Sequence, residues 1–177
     1  KEIRRYAPDL VLTHRPCDYH PDHRAVGQAV QDASYLVTVP LVVSDEPALC
    51  RDPVVAYMPD LFTRPYPFVP DVVLDIEPQL DRIVDMLACH QSQVFEFLPF
   101  NQGLLDQVPA EPTEQRAWLK SWYQQLIGHR ADRFRGALED KYGPQRGAEI
   151  RNMEAFEISQ YAAPLDPPAR QQLFGFI

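Results

Sequence analysis

Apolar residues in this chain come in short runs separated by prolines and charges. Leu10-Val11-Leu12, Val54 to Met58 and Asp71 to Glu77 lack a 3.6-residue period. Runs of this kind fit strands buried on both faces. Between them the period changes. Val26, Val30, Ala33 and Val37, flanked by Ala25 and Ala29, predict a helix that opens at Pro21 and ends near residues 38–40. Leu80, Ile83, Val84 and Leu87 predict a second, opened by Pro78. Trp118, Leu119, Trp122 and Leu126 predict a third after Pro112-Thr113, and Phe134 with Leu138 a fourth that stops at Gly143-Pro144. Lys1 to Tyr6 reads as the tail of a helix. Leu41 to Val43 is strand or loop, Ser44 to Pro53 a loop, and residues 148–161 fit helix or strand. Ala169 to Phe176 reads as a short last helix. Strands alternating with helices predict an α/β fold: a Rossmann-like open, mostly parallel sheet flanked by helices, with a helical insertion over residues 112–143 that caps the sheet or meets a partner subunit. A length of 177 residues suits a single α/β domain.

Several polar and aromatic positions refine this outline. Residues 59–70 interleave four prolines with three aromatics, too aromatic for a solvated linker, and predict an ordered surface segment beside a site mouth. Phe95, Phe97, Leu98 and Phe100 read as core packing. His90 continues the Leu87 face and reads as a satisfied core or boundary histidine. His129 reads as exposed, and the charges from Arg130 to Lys141 as a solvated helix face.

Chemistry concentrates in one place. His20-Pro21-Asp22-His23 joins the loop after the first strand to the following helix. Pro21 suits a first helical position and Asp22 the positive end of the helix dipole. His23 therefore sits in a rigid first turn, with His20 just before it. Open α/β sheets keep their chemistry at the carboxyl ends of strands. Neutral imidazole is a common ligand for zinc, and a neighbouring carboxylate such as Asp22 can fix its tautomer. The same residues admit other readings. They start a helix in a non-catalytic binding or assembly module whose working surface is the Trp118 to Leu126 helix, or His14, His20 and His23 together serve a different metal hydrolase.

The run Thr13-His14, then Asp18-Tyr19-His20-Pro21-Asp22-His23-Arg24-Ala25-Val26-Gly27, resembles the His-Pro-Asp-His signature of the PIG-L/LmbE-type zinc-dependent de-N-acetylases. Ala88-Cys89-His90-Gln91-Ser92-Gln93 and Glu154-Ala155-Phe156 extend the resemblance thinly downstream. It implies His23 as a metal ligand, His20 as the group assisting the transition state as an imidazolium, and Asp22 as a further catalytic residue. The implied cofactor is zinc or another divalent transition metal. The implied substrate is a small-molecule sugar conjugate of the N-acetylglucosamine type, deacetylated by hydrolysis. The family's second signature, Ala-His-Pro-Asp-Asp, does not occur in the chain. The expectation is therefore the C-terminal part of a larger de-N-acetylase domain, completed by a missing N-terminal segment, a homo-oligomer, or both. The Leu10 to Leu12 strand, Val11 above all, is then expected at a sheet edge or interface.

A formal net charge of -8 argues against nucleic acid as a partner. No apolar run reaches the length of a membrane span, and no signal-peptide pattern is present. Cys17, Cys50 and Cys89 are odd in number and widely spaced, which reads as buried thiols in a reducing, cytoplasmic setting.

Overall fold

The computed structural model describes residues 1–175. The elements in chain order are α1 (Glu2–Tyr6), β1 (Leu10–Thr13), α2 (Pro21–Ala33), β2 (Val54–Tyr57), β3 (Val72–Asp75), α3 (Leu80–Ala88), α4 (Leu98–Asn101), α5 (Pro112–Arg133), α6 (Arg135–Tyr142), α7 (Pro144–Glu149), β4 (Met153–Ile158) and α8 (Pro167–Phe174). The fold is α/β, with a mixed four-stranded sheet in the order β1-β2-β4-β3. β1 and β2 run parallel, Leu10 opposite Val54 and Thr13 opposite Tyr57, while β4 pairs antiparallel with β2. The ambiguous stretch at 148–161 resolves into the end of α7 and β4. Phe176, the expected end of the last helix, lies outside the described residues. Among these residues no helix is long and apolar enough to cross a membrane.

Two compact units divide the chain. One comprises Lys1–Val72 with the segment from Ala155 onward, the other Val73–Glu154. In the first, β2 is buried along its whole length. β1 is not the doubly buried strand its apolar run suggested: Leu12 is 49% exposed. Among the described residues the strand lies at the sheet edge, with β2 as its strand neighbour. α2 meets expectation only in part: Val30 and Ala33 of the expected stripe are half-buried and Val37 beyond the helix is buried. Its inward face is His23, Gly27, Val30, Gln31 and Ser34, whereas Val26 and Ala29 face solvent. It ends at Ala33, and a 3-10 turn over Leu36–Thr38 follows Tyr35, which has a positive φ of 65°. The buried Arg4 organises the next loop by donating to the carbonyls of Leu36, Val37, Val39, Val43 and Glu46.

The second unit packs hydrocarbon. Val84 of α3, Val94, and Leu119 and Trp122 of α5 form its core, with Leu87, Phe95, Leu98 and Trp118 against them. Trp122 Nε1 donates to Gln102 Oε1 at 2.9 Å, so the buried indole keeps its hydrogen bond. Phe97 and Phe100 are exposed, so only part of the expected aromatic cluster packs inward. His90 is exposed as well: α3 ends at Ala88 and a π-type turn over Ser92–Phe97 carries the chain off the Leu87 face. Cys50 and Cys89 are exposed and Cys17 is half-buried, unlike the buried thiols expected, because all three lie in loops or at a helix end.

Candidate functional site

Thr13 closes β1, and the chain turns through residues 14–20 into α2. Asp18, 8% exposed, is the hub of that turn. Its Oδ1 lies 2.9 Å from His23 Nδ1 and accepts the His20 backbone N–H at 2.9 Å. A carboxylate only accepts, so this contact takes a proton on His23 Nδ1. Arg24 Nη1 donates to the carbonyls of Asp18 at 2.9 Å and Tyr19 at 2.7 Å, fastening the turn to the helix. The His14 ring stacks on His23 with centroids 3.7 Å apart and planes within 2°. His14 Nδ1 lies 3.8 Å from Asp18 Oδ2. Burial, and then the facing His23 ring, pushes the His14 imidazole below its ordinary value. Nitrogens and oxygens of His14, Asp18 and His23 lie within 4.8 Å of one another, a grouping able to hold a metal ion.

His20 is the N-cap of α2. Its Nδ1 accepts the Asp22 backbone N–H at 3.2 Å. An imidazolium has no lone pair there, so the capping bond belongs to the neutral ring with its proton on Nε2. The Asp22 carboxylate is 90% exposed and lies 3.9 Å from His20 Nδ1, so Asp22 meets that ring through its amide. The His20 and His23 ring centroids are 4.9 Å apart. His14, Asp18, His20 and His23 thus converge beyond the carboxyl end of β1.

The surroundings are held by charge. Arg15 is fully buried. It pairs with both oxygens of Asp60 at 2.7 Å, donates to the Tyr66 carbonyl at 3.1 Å, and lies 4.9 Å from the Tyr66 ring centroid. These bonds tie residues 60–66 to the β1–α2 turn, and Phe62 reaches Tyr19 at 6.5 Å between ring centroids. Tyr19 in turn stands edge-on to His23 at 5.4 Å. The proline-rich segment is therefore beside the site, without helix or strand of its own. Arg15 Nη1 also lies 4.0 Å from Glu157. Glu157 lines a cleft of about 520 Å³ with Tyr57, Tyr66, Tyr161 and Asp71. Beneath the turn, a Cβ at Gly27 would stand 2.4 Å from the His14 carbonyl oxygen, so only glycine allows α2 this close to β1.

Sequence reasoning placed Asp18 near the histidines without its orienting bond, and it missed Arg15 and Asp60. The signal for Asp18 was its place five residues before His23. No local pattern links Arg15 to a carboxylate 45 residues on.

No protein-family model and no curated protein matches the chain. Among solved structures it is similar in fold to the N,N'-diacetylchitobiose deacetylase from Pyrococcus horikoshii, solved with its inhibitor MPG, at a TM-score of 0.51 and 16% identity. The match covers 99% of this chain and 53% of that one, so the chain spans about half the length of that enzyme.

Proposed function

We propose that the chain carries the His-Pro-Asp-His part of a metal-dependent hydrolase site that removes an N-acetyl group from an N-acetylglucosamine-type sugar or sugar conjugate. The observation that carries the reading is the Asp18–His23 bond, which leaves the Nε2 lone pair of a first-turn imidazole free to bind a metal. The fold likeness to a deacetylase supports the substrate class. His23 is the ligand this turn offers to zinc or a similar divalent ion. Catalytic zinc sites use about three protein ligands, so His23 alone does not complete one. When bound, the ion supplies a Lewis acid and an acidified water.

The chain's own residues do the rest. His20, whose Nδ1 accepts the Asp22 amide, would offer its Nε2–H as a donor to the oxyanion that develops on the attacked acetamide carbonyl. Asp22 supplies the amide of that bond. Tyr19, edge-on to His23, and Phe62 stand beside the rings.

The test measures zinc per chain and deacetylation of an N-acetylglucosamine compound, on the chain together with whatever completes the site. His23→Ala is expected to lose its metal on dialysis. His20→Ala is expected to keep the metal and lose turnover by about a hundredfold. Metal retained in His23→Ala but lost in His20→Ala would reverse the roles, and full activity in both would end the reading.

A further inference from the structure

We infer that Asp18 is the positioning residue of this centre: with His14 clamped on the ring face, it holds His23 in the Nδ1–H tautomer, so that Nε2 is the ligand atom and neither Asp18 nor His14 binds the ion. The inference rests on the metal-centre reading above and deepens it. Proximity alone would make His14, Asp18 and His23 a three-ligand set. The ring geometry argues otherwise. An imidazole lone pair lies in the plane of its ring, and the His14 and His23 planes are parallel to within 2° and stacked face to face. Parallel planes do not meet, so one ion cannot lie on both lone-pair directions. Asp18 Oδ1 is already engaged by two donors, His23 Nδ1 and the His20 amide, each at 2.9 Å. At 8% exposure that carboxylate faces inward, whereas His23 keeps 31% of its side chain open. The arrangement is a carboxylate–imidazole pair on a part-exposed ring, the form in which an outer partner fixes a ligand's orientation and raises its basicity.

One bond also sets two residues at once. The oxygen that orients His23 fixes the His20 amide, so the ligand and the donor are held by a single side chain.

The tautomer is read directly by nitrogen–proton correlation spectra of the imidazoles in the metal-free protein, at pH about 8.5, well above the ordinary histidine value. Five histidines make assignment by single substitution practical. The expected wild-type result is His23 in the Nδ1–H form. An unrestrained imidazole samples both forms, so Asp18→Ala is expected to give a mixture and to weaken cobalt binding by about 10- to 100-fold. Asp18→Asn keeps an acceptor oxygen and is expected to retain the tautomer and most of the affinity. A wild-type His23 in the Nε2–H form overturns the inference without any variant, as does Asp18→Ala with tautomer and affinity unchanged. Asp18→Asn losing cobalt as completely as His23→Ala would make Asp18 a ligand and overturn it too. Cobalt bound normally by His23→Ala would instead sink the metal-centre reading, while the metal-free tautomer still decides the Asp18–His23 pairing.

Discussion

Residues 73–154 surround Val84, Val94, Leu119 and Trp122 with more hydrocarbon. The unit built from residues 1–72 and 155 onward instead buries Arg4, Arg15, Asp18 and Thr13 beside its apolar strands. The two solve the same problem by different means. In the helical unit, burial of apolar surface does the work, at roughly 25 cal/mol per Å². In the site-bearing unit, buried charges must each be matched, because an unmatched one costs several kcal/mol. Such matching places polar groups accurately, and it ties stability to particular pairs.

The largest effect should come from breaking one of those pairs. Arg15→Met leaves Asp60 buried and unpaired, and about 3–5 kcal/mol of stability is expected to go. Arg15→Met with Asp60→Leu should recover most of it, since a buried pair replaced by apolar groups is often nearly neutral. Urea denaturation of the two single variants and the double closes the cycle. If the double variant is as unstable as the sum of the singles, the pair is not the unit of stability and the contrast fails.

The helical unit should answer to volume instead. Leu119→Ala, at a fully buried position of α5, is expected to cost about 3 kcal/mol through transfer and cavity terms. Leu119→Met should cost under about 1.5 kcal/mol, as volume-conserving swaps do. A Met variant as damaging as the Ala variant would show that shape rather than volume governs this core.

This difference also decides what was legible in the sequence. α5 could be read because Trp118, Leu119 and Trp122 meet a core of hydrocarbon, where period and burial agree, although Leu126 of the same expected stripe is exposed. α2 could be read as a helix, but its inward face could not. Its inner stripe is His23, Gly27, Val30, Gln31 and Ser34, so a search for apolar periodicity finds Val30 but also takes in Val26, Ala25 and Ala29, which are exposed. The His-Pro-Asp-His joint was legible because cap, proline and imidazoles are contiguous. The tautomer of His23 was not, because it depends on where the loop folds Asp18. Nothing local marks Arg15, and only the fold brings Asp60 to it.

Two glycines sharpen the contrast further. Gly27→Ala sets a Cβ 2.4 Å from the His14 carbonyl oxygen, so α2 must shift from β1. A cost of about 1–3 kcal/mol is expected from overpacking, along with a changed His23 tautomer signal. Gly128→Ala in α5 meets nothing within 4 Å and should stabilise by about 0.5–1 kcal/mol through helix propensity. Thermal midpoints of both variants check the opposite signs; the same sign for both would contradict these packing distances.

The smallest effect is a pH dependence that should run in opposite directions in the two units. Burial pushes the Glu157 carboxyl up, against the Val69 amide at 2.8 Å and the Arg15 guanidinium, while Asp71 and Asp60 add to the rise. The folded state therefore holds that proton more tightly than the unfolded chain. Stability from this group is full below the ordinary value of 4.5 and is lost as pH rises through the folded value. At Glu77 burial acts the same way but is outweighed by the Arg151 amide, Arg146 and the Asn152 amide, so the carboxyl is held below its ordinary value. Its contribution is present above 4.5 and is lost as pH falls through the folded value. Glu157→Gln should thus gain on the wild type as pH rises from 4 to 7, and Glu77→Gln should fall behind over the same range. Urea midpoints at several pH values give both differences. If Glu157→Gln also falls behind with rising pH, the attraction of Arg15 outweighs burial, and Glu157 belongs with the matched charges rather than against them.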